Sequence, residues 1–295
     1  MKWRVVSKIE VRMWSLFLSF VLWAYIPPSK MILQRTVENS GSGVYAIDQE
    51  IEFSNGTDSL SWREIWLVEN DKTMRLTVAP PKDQADKIKI QYVYESGQRW
   101  SLNLAKKRES QKISADFIER WFHFRNSDAL QNALIQNQII PESTSMAPIP
   151  SANSKKIKPT EEFKYEPENF VRLGRSQNVV TYALGIPTSV SEEKLTPGLW
   201  IEQDLFLIRK IRWTNQAEIT ADDHAPYAKG LLFPKKRILR WGPNTVTMKV
   251  LNVVSRSGKM NSFFQPQSLD YATNFEGIQS SPLKSMIEEF YARFR

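Results

Sequence analysis

The stretch LSWREIWLVENDKTMRLTVA, Leu60 to Ala79, decides the fold. It holds two runs of alternating large and polar residues, broken at Asn70-Asp71, a pair suited to a tight turn. Successive strand side chains point to opposite faces, so Met74, Leu76 and Val78 share one face. The stretch therefore predicts an antiparallel hairpin with one buried side.

The pattern extends in both directions. Upstream, a short helix is expected near Met31 to Asn39. Ile47, Gln49, Ile51 and Phe53 then alternate with Asp48, Glu50 and Glu52 before the turn at Asn55-Gly56. Downstream, KIKIQYVYE places Ile88, Ile90, Tyr92 and Tyr94 on one face. Ser96-Gly97 turns into QRWSLNL, where Trp100, Leu102 and Leu104 fall together. These segments describe an antiparallel meander.

The period then changes. In SADFIERWFHFR, Ser114 stands at a cap position, and Phe117, Ile118, Trp121, Phe122 and Phe124 fall at helical spacing, which predicts a helix over 114–125. SDALQNALIQNQ predicts a second one. Residues 141–168 carry five prolines and few apolar side chains and read as a loop or linker. Strands are expected again from NVVTYALGI, through GLWIEQDLFLIRKIRW (Gly198 to Trp213), AEITADD and KGLLFPKKRILRW, to TVTMKVLNVVS. Pro234 is expected at an edge or a bulge. A last helix over 282–295 is marked by Ser281, Pro282 and the stripe Leu283, Met286, Ile287, Phe290 and Phe294.

Composition bounds the function. The 295 residues carry a net charge of +8. In the first 31 residues, five cations stand against Glu10 alone, so the remainder is only mildly basic and nucleic acid is not expected as a partner. No cysteine is present, which excludes disulfides, cysteine nucleophiles and zinc-cysteine sites. Lys2, Arg4, Lys8 and Arg12 precede an uncharged run over residues 13–26. As a helix this run spans about 21 Å, short of a bilayer core. Residues 1–29 therefore read as a signal peptide or an N-terminal anchor, which places the body in the periplasm, tethered to the inner membrane by residues 13–26 in the anchor case. Residues 30–295 read as a single domain with the insertion at 141–168.

The sequence contains no nucleophile elbow, phosphate loop or zinc-protease motif. His123 reads as a packing residue. Asp222-Asp223-His224 reads as a turn rather than a metal site. The expectation is a protein without catalytic residues, metal or cofactor.

The order of segments resembles the LolA-like family of periplasmic lipoprotein carriers, on EIWLVENDKTMRLTVAPP, ESGQRWSLNL, GLWIEQDLFLIRKIRW, AEITADDHA and GLLFPKKRILRW. The resemblance covers about Ile47 to Leu104 and Val179 to Val254. It implies a mainly β fold with helices, an unclosed antiparallel half-barrel wrapped over lid helices, with acyl chains held on its concave face. Trp66, Met74, Leu76, Ile90, Tyr92 and Trp100 would then line the wall, and Phe117, Ile118, Trp121 and Phe122 the lid. Where the carriers have a lid-latching arginine after an L-W-V-K-like run, this chain has Glu69. The implied function is binding of a lipid or the acyl chains of a lipoprotein. One alternative is a periplasmic interaction protein without a lipid ligand, holding an envelope partner through 141–168 or the C-terminal helix. A filled interior favours it, and a continuous hollow favours lipid. The other alternative is a transmembrane β-barrel.

Overall fold

The computed structural model describes residues 26–80, 87–140, 171–185, 196–258, 260–278 and 280–295. The segment read as a signal peptide or anchor, up to residue 25, and the insertion at 141–168 lie outside the described residues. Helix α1 (Ser29–Glu38) leads into a meander of β1 (Val44–Ser54), β2 (Ser59–Asn70), β3 (Thr73–Ala79), β5 (Gln91–Glu95), β6 (Gln98–Leu102) and β7 (Arg108–Lys112), with the two-residue β4 (Ile88–Lys89) standing between β3 and β5. Helix α2 (Ser127–Gln136) follows. A second meander holds β8 (Val171–Ser176), β9 (Val179–Leu184), β10 (Gly198–Glu202), β11 (Ile208–Arg212), β12 (Glu218–Pro226), β13 (Leu232–Trp241) and β14 (Asn244–Arg256). After β15 (Asn274–Phe275), the chain ends in α3 (Ser281–Arg293).

All strand pairs are antiparallel, and the sheet runs β7-β6-β5-β3-β2-β1-β14-β13-β12-β11-β10-β9-β8. Only β4 and β15 stand apart, paired with each other. β7 and β8 form the two edges, so the sheet does not close. It is the unclosed antiparallel sheet that the resemblance implied.

The hairpin that decides the fold forms as its sequence predicts. Asn70 Oδ1 accepts hydrogen bonds from the Lys72 and Thr73 amides at 2.9 and 3.1 Å and so fixes the turn. On the inner face β1 presents Tyr45, Ile47, Gln49, Ile51 and Phe53, and β2 presents Trp62, Glu64, Trp66 and Val68, all buried. In the Gly198 to Trp213 stretch, Leu199, Ile201, Ile211 and Trp213 are buried in the core. Trp200 instead meets the charges of Lys210 and Arg212, 4.8 and 5.2 Å from its ring.

Several expectations need correction. Residues 114–125 do not form an α-helix. They make an extended strap with one 3-10 turn, Glu119–Phe122. Apolar residues so dense are buried on every side, and the apparent helical period carried no information. Ser281 is the first residue of α3 and not its cap; Ser280 holds that place, and its hydroxyl donates to Asp58 Oδ2 at 2.7 Å. Asp222, Asp223 and His224 lie within β12, not in a turn, and Asp223 has φ of 51°. Pro234 lies opposite His224 inside the sheet, but the β13–β14 ladder begins only at Lys236, so one side of the proline needs no donor. The strands β7 and β8 were not foreseen: RESQK is exposed throughout, and VRLGRS has no clear alternation.

The half-barrel interior as the candidate functional site

The concave side of the sheet is closed by the strap, by α1 and α2, and by α3. Trp66, Met74, Leu76, Ile90 and Tyr92 all lie in one buried cluster with Phe117, Ile118, Trp121 and Phe122. Aromatic rings knit strap to sheet. Phe117 stacks on Tyr94 with centroids 4.6 Å apart, and Tyr94 stacks on Trp66 at 5.7 Å. Trp121 meets Trp213 edge-on at 6.5 Å, and Phe122 meets Phe233 at 6.0 Å.

Trp100 does not join them. It pairs with Val93 and packs with Leu102 and Leu269, outside the main cluster. Its neighbour Arg99 points the other way, over the Tyr92 ring at 4.7 Å. Alternation therefore puts Trp100 on the convex side, under the segment that carries Leu269. The placement of Trp100 on the wall is corrected.

The inner space is filled by α3. Leu283, Met286, Ile287, Phe290, Tyr291 and Phe294 are all buried. Phe290 meets Phe53 at 5.1 Å and Trp241 at 6.3 Å, and Phe294 meets Trp213 at 6.4 Å. The strap braces the helix end. The Ile118 amide donates to the Phe294 carbonyl at 3.2 Å, and Arg293 Nε donates to Asp116 Oδ2 at 2.6 Å. A recess lined by Trp121, Phe122, Phe124 and Leu130 measures about 20 Å³, room for one water and not for an acyl chain. The apolar stripe of α3 faces the sheet and is buried there.

At the centre lies a group of charged residues that sequence reasoning missed. Glu64 on β2 accepts from Arg295 Nη2 at 3.1 Å, from the Tyr291 hydroxyl at 2.8 Å, from Gln49 Nε2 at 2.7 Å and from Trp66 Nε1 at 3.1 Å. Arg237 on β13 donates to Glu119 of the strap at 3.0 Å and to Gln49 Oε1 at 2.5 Å. Arg295 and Glu119 are 3.9 Å apart, which joins the two halves. Two guanidinium groups thus balance two carboxylates, all four with fully buried side chains.

Electrostatics follows from this arrangement. Burial opposes the Glu119 charge, but Arg237, His123 and Arg295 outweigh it and bring its pKa down to about 2. Burial likewise opposes the Arg295 charge, and Glu64 and Glu119 raise its pKa nonetheless. His123 stacks on Phe233 at 5.3 Å, with Nε2 3.4 Å from Glu119, and burial lowers its pKa. Glu69, where the carriers have arginine, takes no part in this group. The ion pair that ties strap to sheet is instead Arg237–Glu119.

Among the described residues, no group of three or more His, Asp or Glu is placed to hold a metal ion. None of the described helices is long and apolar enough to cross a membrane.

No family model matches the chain, and no curated protein matches its sequence. Solved structures do match. A LolA superfamily protein from Nitrosomonas europaea superposes with a TM-score of 0.50 at 12% identity, over 83% of this chain and 100% of that one. The chain has the LolA fold. A putative outer membrane lipoprotein-sorting protein domain from Vibrio parahaemolyticus gives 0.48 at 12% identity, over 81% and 97% of the two chains. A DUF1329 family protein from Desulfovibrio piger gives 0.49 at 10% identity, over 83% and 100%. In this LolA-fold chain the inner face of the half-barrel is covered by the chain's own helix.

Proposed function

We propose that this chain is an exported, non-enzymatic envelope protein that binds an acyl chain of a lipid or lipoprotein in the half-barrel, by exchange with α3. The observation that supports this is the nature of the occupant. The inner space is filled by one contiguous helix that contributes no strand to the sheet, against a wall that is apolar apart from Gln49, Glu64 and Arg237 at its centre. The energies are of similar size. Six large side chains bury roughly 9–18 kcal/mol of apolar free energy, and a sixteen-carbon acyl chain about 12 kcal/mol.

A second reading, an envelope interaction protein with no lipid ligand, is favoured by the filled interior, which leaves only about 20 Å³ free, and by Glu64. An acyl chain in place of Arg295 leaves that buried carboxylate without its cation, which is costly. A fluorescent fatty-acyl probe separates the two readings. Exchange predicts saturable binding to delipidated protein, tighter binding to Arg295→Ala, in which α3 is loosened, and displacement of the probe by a synthetic peptide of residues 280–295. Absence of saturable binding in both wild type and Arg295→Ala leaves the interaction reading in front.

A further inference from the structure

An open cleft lies on the other side of the strap. Its two lobes, about 980 and 700 Å³, meet at Asp71, Lys72, Arg120 and Gln136. Lys72 comes from the β2–β3 turn, Lys112 from the end of β7, Arg120 from the 3-10 turn, and Arg125 from the approach to α2. Two carboxylates, Asp71 and Asp128, stand against these four cations. The cleft is positive overall and large enough for more than a lone ion.

Its polar groups are short of partners. Arg120 lies over the Phe124 ring at 5.1 Å, and its buried Nε has no hydrogen-bond partner. Arg125 Nη2 donates to the Gly43 carbonyl at 2.6 Å, yet its Nε is also unpartnered. Asp71 is 8% exposed, and its Oδ2 has no partner. Burial pushes the Asp71 pKa up and the Arg120 pKa down. Asp71 and Arg120 offset part of each other's charge, and Glu69 and Asp71 act on Arg125, yet no hydrogen bond reaches Asp71 Oδ2, Arg120 Nε or Arg125 Nε, which leaves room for a donor beside Asp71 and an acceptor beside the arginines. Guanidinium groups match phosphate oxygens in shape and charge.

We propose that this cleft binds a phosphate ester that also carries a hydrogen-bond donor: the phosphate sits against Arg120, Arg125 and Lys72, and an amine or hydroxyl faces Asp71. A phospholipid headgroup and a soluble phosphorylated amino alcohol share this chemistry. The cleft is separate from the space that α3 fills, so the site stands whether or not acyl chains enter the half-barrel.

Calorimetry with phosphoethanolamine and with inorganic phosphate tests the site, and co-sedimentation with vesicles containing phosphatidylethanolamine tests the source. Wild type should bind phosphoethanolamine saturably and more tightly than inorganic phosphate. Lys72→Gln, in an exposed turn, and Arg120→Gln, checked for folding by its melting curve, should each weaken binding about tenfold, as loss of a charge-assisted hydrogen bond does. Lys106→Gln, outside the cleft, should bind as wild type does. Vesicle binding lost in the same two variants assigns the ligand to a membrane lipid. Phosphoethanolamine binding without vesicle binding assigns it to a soluble ester. Wild type without saturable phosphoethanolamine binding overturns the site, and so does unchanged binding in both variants. Acyl-probe affinity should not move in Lys72→Gln, which keeps this test apart from that of the half-barrel.

Discussion

Glu64 and Arg295, 231 positions apart, form a buried ion pair at 3.1 Å on the inner face of the half-barrel. It ties the end of α3 to β2. Removing one partner leaves the other charge buried and unpaired, so Arg295→Ala should cost about 3–5 kcal/mol in urea unfolding. Glu64→Gln combined with Arg295→Met should recover much of that loss. A double variant no more stable than the single one would show that packing, not charge, holds the helix end.

Trp121 tests whether the strap is core or a loose cover. It is 1% exposed and meets Phe124 and Trp213. Trp121→Ala should therefore cost about 3–5 kcal/mol. A loss well below that range, accompanied by weaker acyl-probe binding, would make the strap a lid over an open space.

Stability should fall in acid in two stages. Burial, followed by Arg209, holds the His224 pKa at about 3, far below the usual 6.5. The unfolded chain therefore takes up this proton first, and stability is lost as pH falls from about 6.5 toward 3. His123 is shifted in the same direction. Glu119, held at about 2 against an ordinary 4.5, adds a loss that begins below pH 4.5. His224→Gln should shrink the upper stage to the part that His123 supplies and leave the lower one in place, as read from unfolding midpoints across the pH range.

Trp100→Ala should act on the outside of the sheet. Trp100 packs with Leu269 and Ala272, so hydrogen exchange should rise over residues 261–275 while α3 stays protected. Faster exchange in α3 instead would place Trp100 back on the inner wall.

Export can be tested on the whole chain. A reporter fused after Arg295 should be active only outside the cytoplasm, as the reading of the basic flank and the apolar run at residues 13–26 predicts. Equal activity inside would sink the periplasmic placement.

Much of the sheet was legible because its strands bury one face. Ile47, Ile51, Phe53, Met74, Leu76 and Val78 alternate with polar neighbours, and the turns at Asn70 and Ser96-Gly97 carry the right residues. β7 was illegible because an exposed edge strand has no buried face to mark it. The strap misled because its aromatics are buried all round. The charged centre had little local signal. Glu64, Glu119, Arg237 and Arg295 lie on four separate elements, and each alone reads as an ordinary surface charge. Glu64 was the one available hint, a carboxylate in the inward phase of β2 between Trp62 and Trp66.

The middle of the sheet sets the order of assembly. β1 and β14 pair from Val44–Arg256 to Ser54–Thr245, joining two meanders that are each built from near neighbours along the chain. Local hairpins form early, whereas this seam waits on a closure of about two hundred residues and its entropy. On the proposed export route, with the chain threaded from its N-terminus, β1 reaches the outside long before β14 arrives. Until then β1 offers an unpaired edge and a bare apolar face, the two features that invite aggregation. Demand for a holding chaperone should therefore be greatest in the interval between the emergence of β1 and that of β14.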